Sequence, residues 1–203
     1  MSATVPAFTS ADSALVLIDH QNGTMQLIKN IPLAVVKRNA LALAKAAKVL
    51  NLPVVLTSSQ EENFQGPLLA ELKELLPDAF AARVKRSGIV SAWDDPNFVA
   101  AVKRAGRKNL VMAGVTTDIC LVFPAISAVR AGYYVQAVID AGGSPFDLSE
   151  EMARRRMERE GVVLTATNTL LAELTHDWSR PEGKQIQEIL NNDVLHDVLS
   201  KSR

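Results

Sequence analysis

Three kinds of residue in this chain have the type and position for covalent chemistry: a lone thiol, a carboxylate and a cation, each next to an apolar stretch. Cys120 is the only cysteine, and it ends the run Asn109-Leu-Val-Met-Ala-Gly-Val-Thr-Thr-Asp-Ile-Cys120. Leu110 to Ala113 reads as a buried strand closed by Gly114, and apolar residues at 119, 122, 123, 126 and 129 give one face of a following helix. Cys120 then sits just inside that helix, with Thr117 or Asp118 as the N-cap. Unpaired amides and the positive end of the helix dipole favour a thiolate at such a place. A free cysteine is most often a small buried apolar side chain. A thiol on a strand-to-helix turn is also how an acyl-transfer nucleophile is presented.

Such a nucleophile needs a base and a counter-charge. Asp19 follows the apolar run Ala14 to Ile18, so burial is expected to raise its pKa unless a partner holds it. A carboxylate poised in this way can take the thiol proton and later give it to a leaving group. Its plainer use would be to cap the turn through Asn22 and Gly23. Lys85 and Arg86 follow a third strand, and either can supply the positive charge; their plainer use is a solvated basic loop.

These groups can meet only if the fold gathers strand ends. Apolar runs at 14–18, 54–57, 79–84, 110–113, 133–139 and 162–164 read as strands. Helical patterns fill 31–50, 66–75, the stretch from Asp94-Asp95-Pro96, the stretch after Cys120, 147–161 and 168–174. Pro77 is expected to close the second helix, and Asp147-Leu-Ser-Glu150 has the form of a capping box. The alternation predicts an α/β fold, a doubly wound, mostly parallel sheet flanked by helices with right-handed crossovers. Ligands of such sheets lie outside the carboxyl ends of the strands. That rule puts Asp19, residues 58–60, Lys85, Arg86, Cys120 and Asp140 on one edge. The main domain is expected over residues 1–182, its first twelve residues an arm or a strap over a neighbour. Residues 183–203 carry an amphipathic stripe that packs on the domain or covers a neighbouring subunit.

The chain has 203 residues, 48% of them hydrophobic, enough for one domain with a large core. Lys+Arg and Asp+Glu both number 22, so no surplus of positive charge calls for nucleic acid or an anionic membrane. One cysteine excludes an internal disulfide and fits a reducing compartment. Residues 1–10 lack the features of a signal peptide and no apolar run would span a bilayer, so a cytoplasmic protein is expected. Dinucleotide and P-loop motifs are absent and the three histidines lack ligand spacing, so neither a cofactor nor a metal is expected.

The segments Leu15-Val-Leu-Ile-Asp19-His-Gln21, Lys85-Arg86-Ser-Gly-Ile-Val-Ser-Ala-Trp93 and Gly114-Val-Thr-Thr-Asp-Ile-Cys120 together resemble the isochorismatase-like cysteine hydrolases. Gly66-Pro-Leu-Leu-Ala-Glu-Leu72 and Cys120-Leu-Val-Phe-Pro-Ala-Ile-Ser-Ala128 look most like the YcaC-type subgroup. The resemblance covers roughly residues 12–180 and implies a Rossmann-like domain with a triad of Asp19, Arg86 and Cys120, Lys85 being the competitor of Arg86. It also implies a non-proline cis peptide between Val115 and Thr116 that aims the Thr116 and Cys120 amides at an oxyanion. Metal-binding members of the family place an Asp and two His near the second strand, where this chain has Ser58, Ser59, Gln60, Glu61 and Glu62. Gln21, Trp93, Thr117 and Phe123 are candidates for shaping the pocket, with packing as their other use.

The expectation is therefore a homo-oligomeric cysteine hydrolase that cleaves a small amide-like C–N bond through a thioester. Its alternative is a catalytically silent member of the fold that serves as an oligomeric binding or scaffold protein. A redox-sensing thiol is the weaker third reading, because the chain has no resolving cysteine.

Overall fold

The computed structural model describes residues 6–200. In chain order the first half contains β1 (Ser13–Ile18), α1 (Leu33–Val49), β2 (Val54–Ser59), α2 (Ala70–Leu75), α3 (Pro77–Ala81), β3 (Val84–Arg86) and α4 (Pro96–Ala105). The second half contains β4 (Asn109–Gly114), α5 (Val122–Arg130), β5 (Tyr134–Val138), α6 (Asp147–Arg159), β6 (Val163–Thr165), α7 (Thr167–Thr175), α8 (Pro181–Ile189) and α9 (His196–Ser200). The strands form one parallel sheet in the order β3-β2-β1-β4-β5-β6. The fold is the doubly wound α/β sheet that the alternation predicts.

Burial on both faces explains why the central strands are continuous apolar runs rather than alternating ones. Every residue of β1 is buried, with Leu15 and Leu17 in one core and Ala14, Val16 and Ile18 in the other. The chain winds outward from β1 to β3 and then returns to lay β4 on the other side of β1. The strand order therefore reverses between β1 and β4, where a crevice opens beyond the carboxyl ends. Asp19 follows β1 and Cys120 follows β4, so the two flank that crevice.

Local chemistry moves several boundaries. Residues 66–69 are not helical: Leu68 bridges to Gln21, and α2 starts at Ala70. Pro77 opens α3 instead of closing a helix, since a proline at the first helical position loses no hydrogen bond. Of the third strand expected over 79–84 only Val84 is strand: α3 takes up its first residues, and β3 pairs with β2 over Val84–Arg86. The Asp95 side chain caps α4 by accepting from the Asn97 N–H, and Gly106 (φ 66°) ends that helix in the left-handed region. The capping box at α6 does not form: Phe146 is the N-cap, and Glu150 accepts from the Ser144 hydroxyl at 2.7 Å.

At the amino end the expected arm lies partly outside the described residues. Within them Phe8 is fully buried and its N–H donates to Glu173 at 2.7 Å. In the tail, Ile186, Ile189 and Leu190 are buried in the same core as α1. The interruption at Asn191–Asp193 takes the form of a π-helical turn over Leu190–Val194. No helix among the described residues is long and apolar enough to cross a membrane.

Candidate active site

Cys120 lies in a π-helical turn, Thr117–Leu121, that leads into α5. The Thr116 carbonyl holds this turn, accepting from the N–H groups of Ile119, Cys120 and Leu121 at 3.3, 2.8 and 3.2 Å. The turn can press against β4 because Gly114 has no side chain there; an added Cβ would stand 3.1 Å from that of Leu121. Thr117 and Asp118 do not cap the helix, and the Thr117 hydroxyl has no partner among the described residues. Their amides instead tie the turn to the 142–144 segment, donating to the Gly143 carbonyl at 2.9 Å and the Ser144 hydroxyl at 3.3 Å.

Asp19 leaves β1 with φ 57°, in the left-handed region that Asp tolerates better than most residues. Its side chain is buried and pairs with the Arg86 guanidinium. The pleat of β3 decides which cation arrives: Arg86 points inward, while Lys85 points out and pairs with Glu61 at 2.9 Å. Arg86 Nε donates to the Thr57 hydroxyl at 3.1 Å, and Nη1 donates to the Ile89 and Val90 carbonyls at 2.8 and 3.4 Å. The guanidinium thus reaches across β2 and is clamped at both ends.

Arg86 engages Asp19 Oδ2, and Oδ1 has no hydrogen-bond partner among the described residues. The Cys120 thiol is close enough for the two groups to move each other's titration. Burial raises the Asp19 pKa, with Arg86 pulling it back. Burial also pushes the Cys120 thiol well above its ordinary value, and the Asp19 charge adds to the rise against a smaller opposing effect of Arg86. This corrects the expectation of a ready thiolate: enclosure and a neighbouring carboxylate outweigh the helix end and the cation. Both groups thus hold a proton more tightly than they would in water, and the carboxyl group stands beside the thiol.

Asp19, Arg86, Thr116 and Cys120 line one cavity of about 270 Å³. Gln21 also lines it, although its amide is fully engaged: Oε1 accepts from the Ser59 N–H at 2.8 Å, while Nε2 donates to the Ser59 and Gly66 carbonyls. The Val115–Thr116 peptide is cis. Of the two amides expected at an oxyanion, that of Cys120 is committed to the Thr116 carbonyl, whereas that of Thr116 donates to no acceptor among the described residues.

Three expected pocket residues lie elsewhere. Trp93 packs edge-on against Phe98 and Tyr133, with centroids 6.1 and 5.7 Å away. Thr117 is wholly buried beneath the turn, and Phe123 lies under the Arg156 guanidinium at 5.2 Å. Their places on the cavity wall are taken by Thr24, Leu27, Phe64, Ile89, Val90 and Ile119, which the sequence pattern does not assign to a pocket. The usable signal is an excess of large apolar residues in short loops between strand ends. Asp140, also expected at this edge, accepts from the amide and hydroxyl of Thr167 at 2.8 and 2.7 Å and has a structural task. The Ser58 hydroxyl donates to Glu61 at 2.7 Å, and Arg83 holds the Glu61 pKa down to about 2.

The family profile of the isochorismatase domain matches residues 13–169. The probable hydrolase YcaC of Escherichia coli is 41% identical over 199 residues, covering 95% of each chain. YcaC of Pseudomonas aeruginosa, solved with hexane-2,5-diol and covalent acrylamide, superimposes with a TM-score of 0.89 at 36% identity over 100% of both chains. The Escherichia coli YcaC structure, described as an octameric hydrolase of unknown specificity, gives 0.88 at 36% identity over 97% of this chain and 96% of that one.

Proposed function

The chain belongs to the isochorismatase family, and on that premise we propose that it is a cysteine hydrolase cleaving a small amide-like C–N bond through a thioester. The observation that carries this reading is the convergence of Asp19, Arg86 and Cys120 on one cavity at the strand-order reversal. In the reaction, Asp19 takes the thiol proton as sulfur attacks the carbonyl carbon, so no standing thiolate is needed. The Thr116 N–H stabilises the oxyanion, a contribution of about 3 kcal/mol for one well-placed donor. Asp19 then protonates the leaving amine, the C–N bond breaks, and a thioester remains on Cys120. A water then gives its proton to Asp19 as it adds to the thioester; the C–S bond breaks, the acid leaves, and Asp19 returns the proton to sulfur. Arg86 cannot give up its proton, so it acts only by holding the carboxylate charge.

The relative that carries covalent acrylamide supports the reading, because acrylamide is a small neutral electrophile that captures soft nucleophiles. The test is ammonia release from a panel of small amides, with Cys120→Ser as the blank, and mass spectrometry of the quenched enzyme. A thioester adduct lost in Cys120→Ser is expected; activity that survives the substitution would overturn the proposal.

We further propose that the chain self-associates, as its octameric relative does. Phe146, Leu148 and Met152 are 70, 68 and 46% exposed and lie side by side along one groove. A contiguous apolar surface of this kind is a common mark of a protein interface. Light scattering of the full chain is expected to give a multiple of 22.0 kDa; a monomer mass would refute it.

A further inference from the structure

We propose that the substrate is a small uncharged amide whose acyl group is apolar; this rests on the cysteine-hydrolase reading and specifies what the site takes. The charged side chains on the cavity wall are Asp19 and Arg86, and they are paired with each other. Arg86 also commits Nε and Nη1 to Thr57, Ile89 and Val90, so one Nη2 N–H is left and the bidentate grip that a substrate carboxylate would need is not on offer. Arg83 and Lys85, close by in sequence, share the single carboxylate of Glu61 at 2.7 and 2.9 Å, and neither lines the cavity. An anionic substrate would therefore lose its water and find no unpaired counter-charge on the cavity wall.

Two of the polar wall groups, Gln21 and Gln60, are turned inward on the protein, and those that keep an open valence, the Thr24 hydroxyl and Gln65 Oε1, are neutral and suit an amide rather than an ion. Gln21 is saturated by Ser59 and Gly66. Gln60 donates to the Ser87 carbonyl at 3.3 Å and accepts from Gln65 at 3.1 Å. The mouth, by contrast, is apolar: Leu27, Phe64, Ile89, Val90 and Ile119 are each at least 40% exposed around it. These side chains give up water contact when an apolar group covers them, and a charged group offers them nothing. A cavity of about 270 Å³ lies below the range that holds drug-sized ligands, which limits the acyl group to a few carbons or one small ring.

Butyramide and succinamate test this directly, since they match in length and differ by a terminal methyl against a carboxylate. Two readouts are taken on the full-length chain: ammonia release, and protection of Cys120 from alkylation by iodoacetamide. Butyramide is expected to have a kcat/KM about 100-fold above that of succinamate, and to protect at concentrations where succinamate does not. Phe64→Ala should raise KM for butyramide several-fold with a smaller fall in kcat. Equal or better use of succinamate would overturn the inference, as would failure of both amides to protect. If butyramide protects selectively but neither amide is hydrolysed, the inference about charge stands and the amidase reading fails.

Discussion

Arg86 reaches Asp19 from two strands away, over the top of β2, and both side chains are almost wholly buried, at 1% and 2% exposure. The Thr57 hydroxyl supports the guanidinium midway, accepting from Nε while donating to the Val84 carbonyl. The pair thus has structural and chemical consequences that different substitutions can separate.

Arg86→Met leaves a buried carboxylate with no counter-charge, an arrangement that costs about 3–5 kcal/mol. Urea unfolding at pH 7 is expected to show a loss of that size. Adding Asp19→Leu should recover most of it while leaving the protein inactive. If Arg86→Met alone unfolds at the original midpoint, the pair contributes nothing to stability.

Gly23 packs against the loop that carries Phe64, and an added Cβ would lie 1.7 Å from the Phe64 carbonyl oxygen. That oxygen belongs to backbone, so no side chain can rotate away and the loop itself must move. Gly23→Ala is expected to cost about 1–3 kcal/mol and to raise KM several-fold by displacing one wall of the cavity. Thermal unfolding and steady-state kinetics on the same preparation test both effects.

His20 is fully buried and holds its partner through one nitrogen: Nε2 donates to the Ala141 carbonyl at 2.8 Å, while Nδ1 has no partner among the described residues. Burial lowers its pKa from 6.5 to about 4. Between those values the unfolded chain binds the proton and the folded chain does not, so stability rises with pH there. The contribution is present in full above pH 6.5 and is lost as pH falls toward 4, amounting to about 3 kcal/mol at the acid end. Unfolding midpoints from pH 7 to 4 should fall less steeply in His20→Gln, which can still donate to Ala141. An unchanged slope would assign the acid sensitivity elsewhere.

The strand ends are legible in the sequence because burial on both faces makes each central strand an apolar run with an abrupt polar stop. Asp19 and Cys120 stand out for that reason, and the reversal of strand order then makes them neighbours. The choice between Lys85 and Arg86 follows from the pleat of β3, whose short pairing with β2 the sequence does not reveal. Trp93 and Phe123 fall off the cavity wall because an aromatic near a catalytic motif has the same sequence signature whether it lines a cavity or fills a core. Leu27 and Phe64 escape notice because their role depends on loop paths, and loops lack the periodicity that marks a face; Ile119 reads as part of a buried helix face, whereas the π-helical turn leaves it exposed at the cavity.

The proton position on the Cys120–Asp19 pair yields the sharpest prediction, because base strength and thiol acidity move in opposite directions when the carboxylate is removed. The charge on Asp19 is one of the causes that raise the Cys120 pKa, whereas Arg86 acts to lower it. Asp19→Asn therefore lowers the thiol pKa, and at pH 8 a larger thiolate fraction reacts with iodoacetamide than in the unmodified protein. The same substitution removes the group that shuttles the proton, so hydrolysis is expected to fall about 1000-fold. Arg86→Met should do the reverse to the thiol, raising its pKa and slowing alkylation. In the unmodified enzyme the acid limb of kcat/KM should lie above 3.8, the ordinary Asp value, because burial raises the carboxyl. Faster alkylation together with lost turnover in Asp19→Asn is the signature of a base that acts only as sulfur attacks. Slower alkylation in that variant would mean that Asp19 instead maintains a thiolate at rest, with the shared proton on the carboxyl group rather than on sulfur.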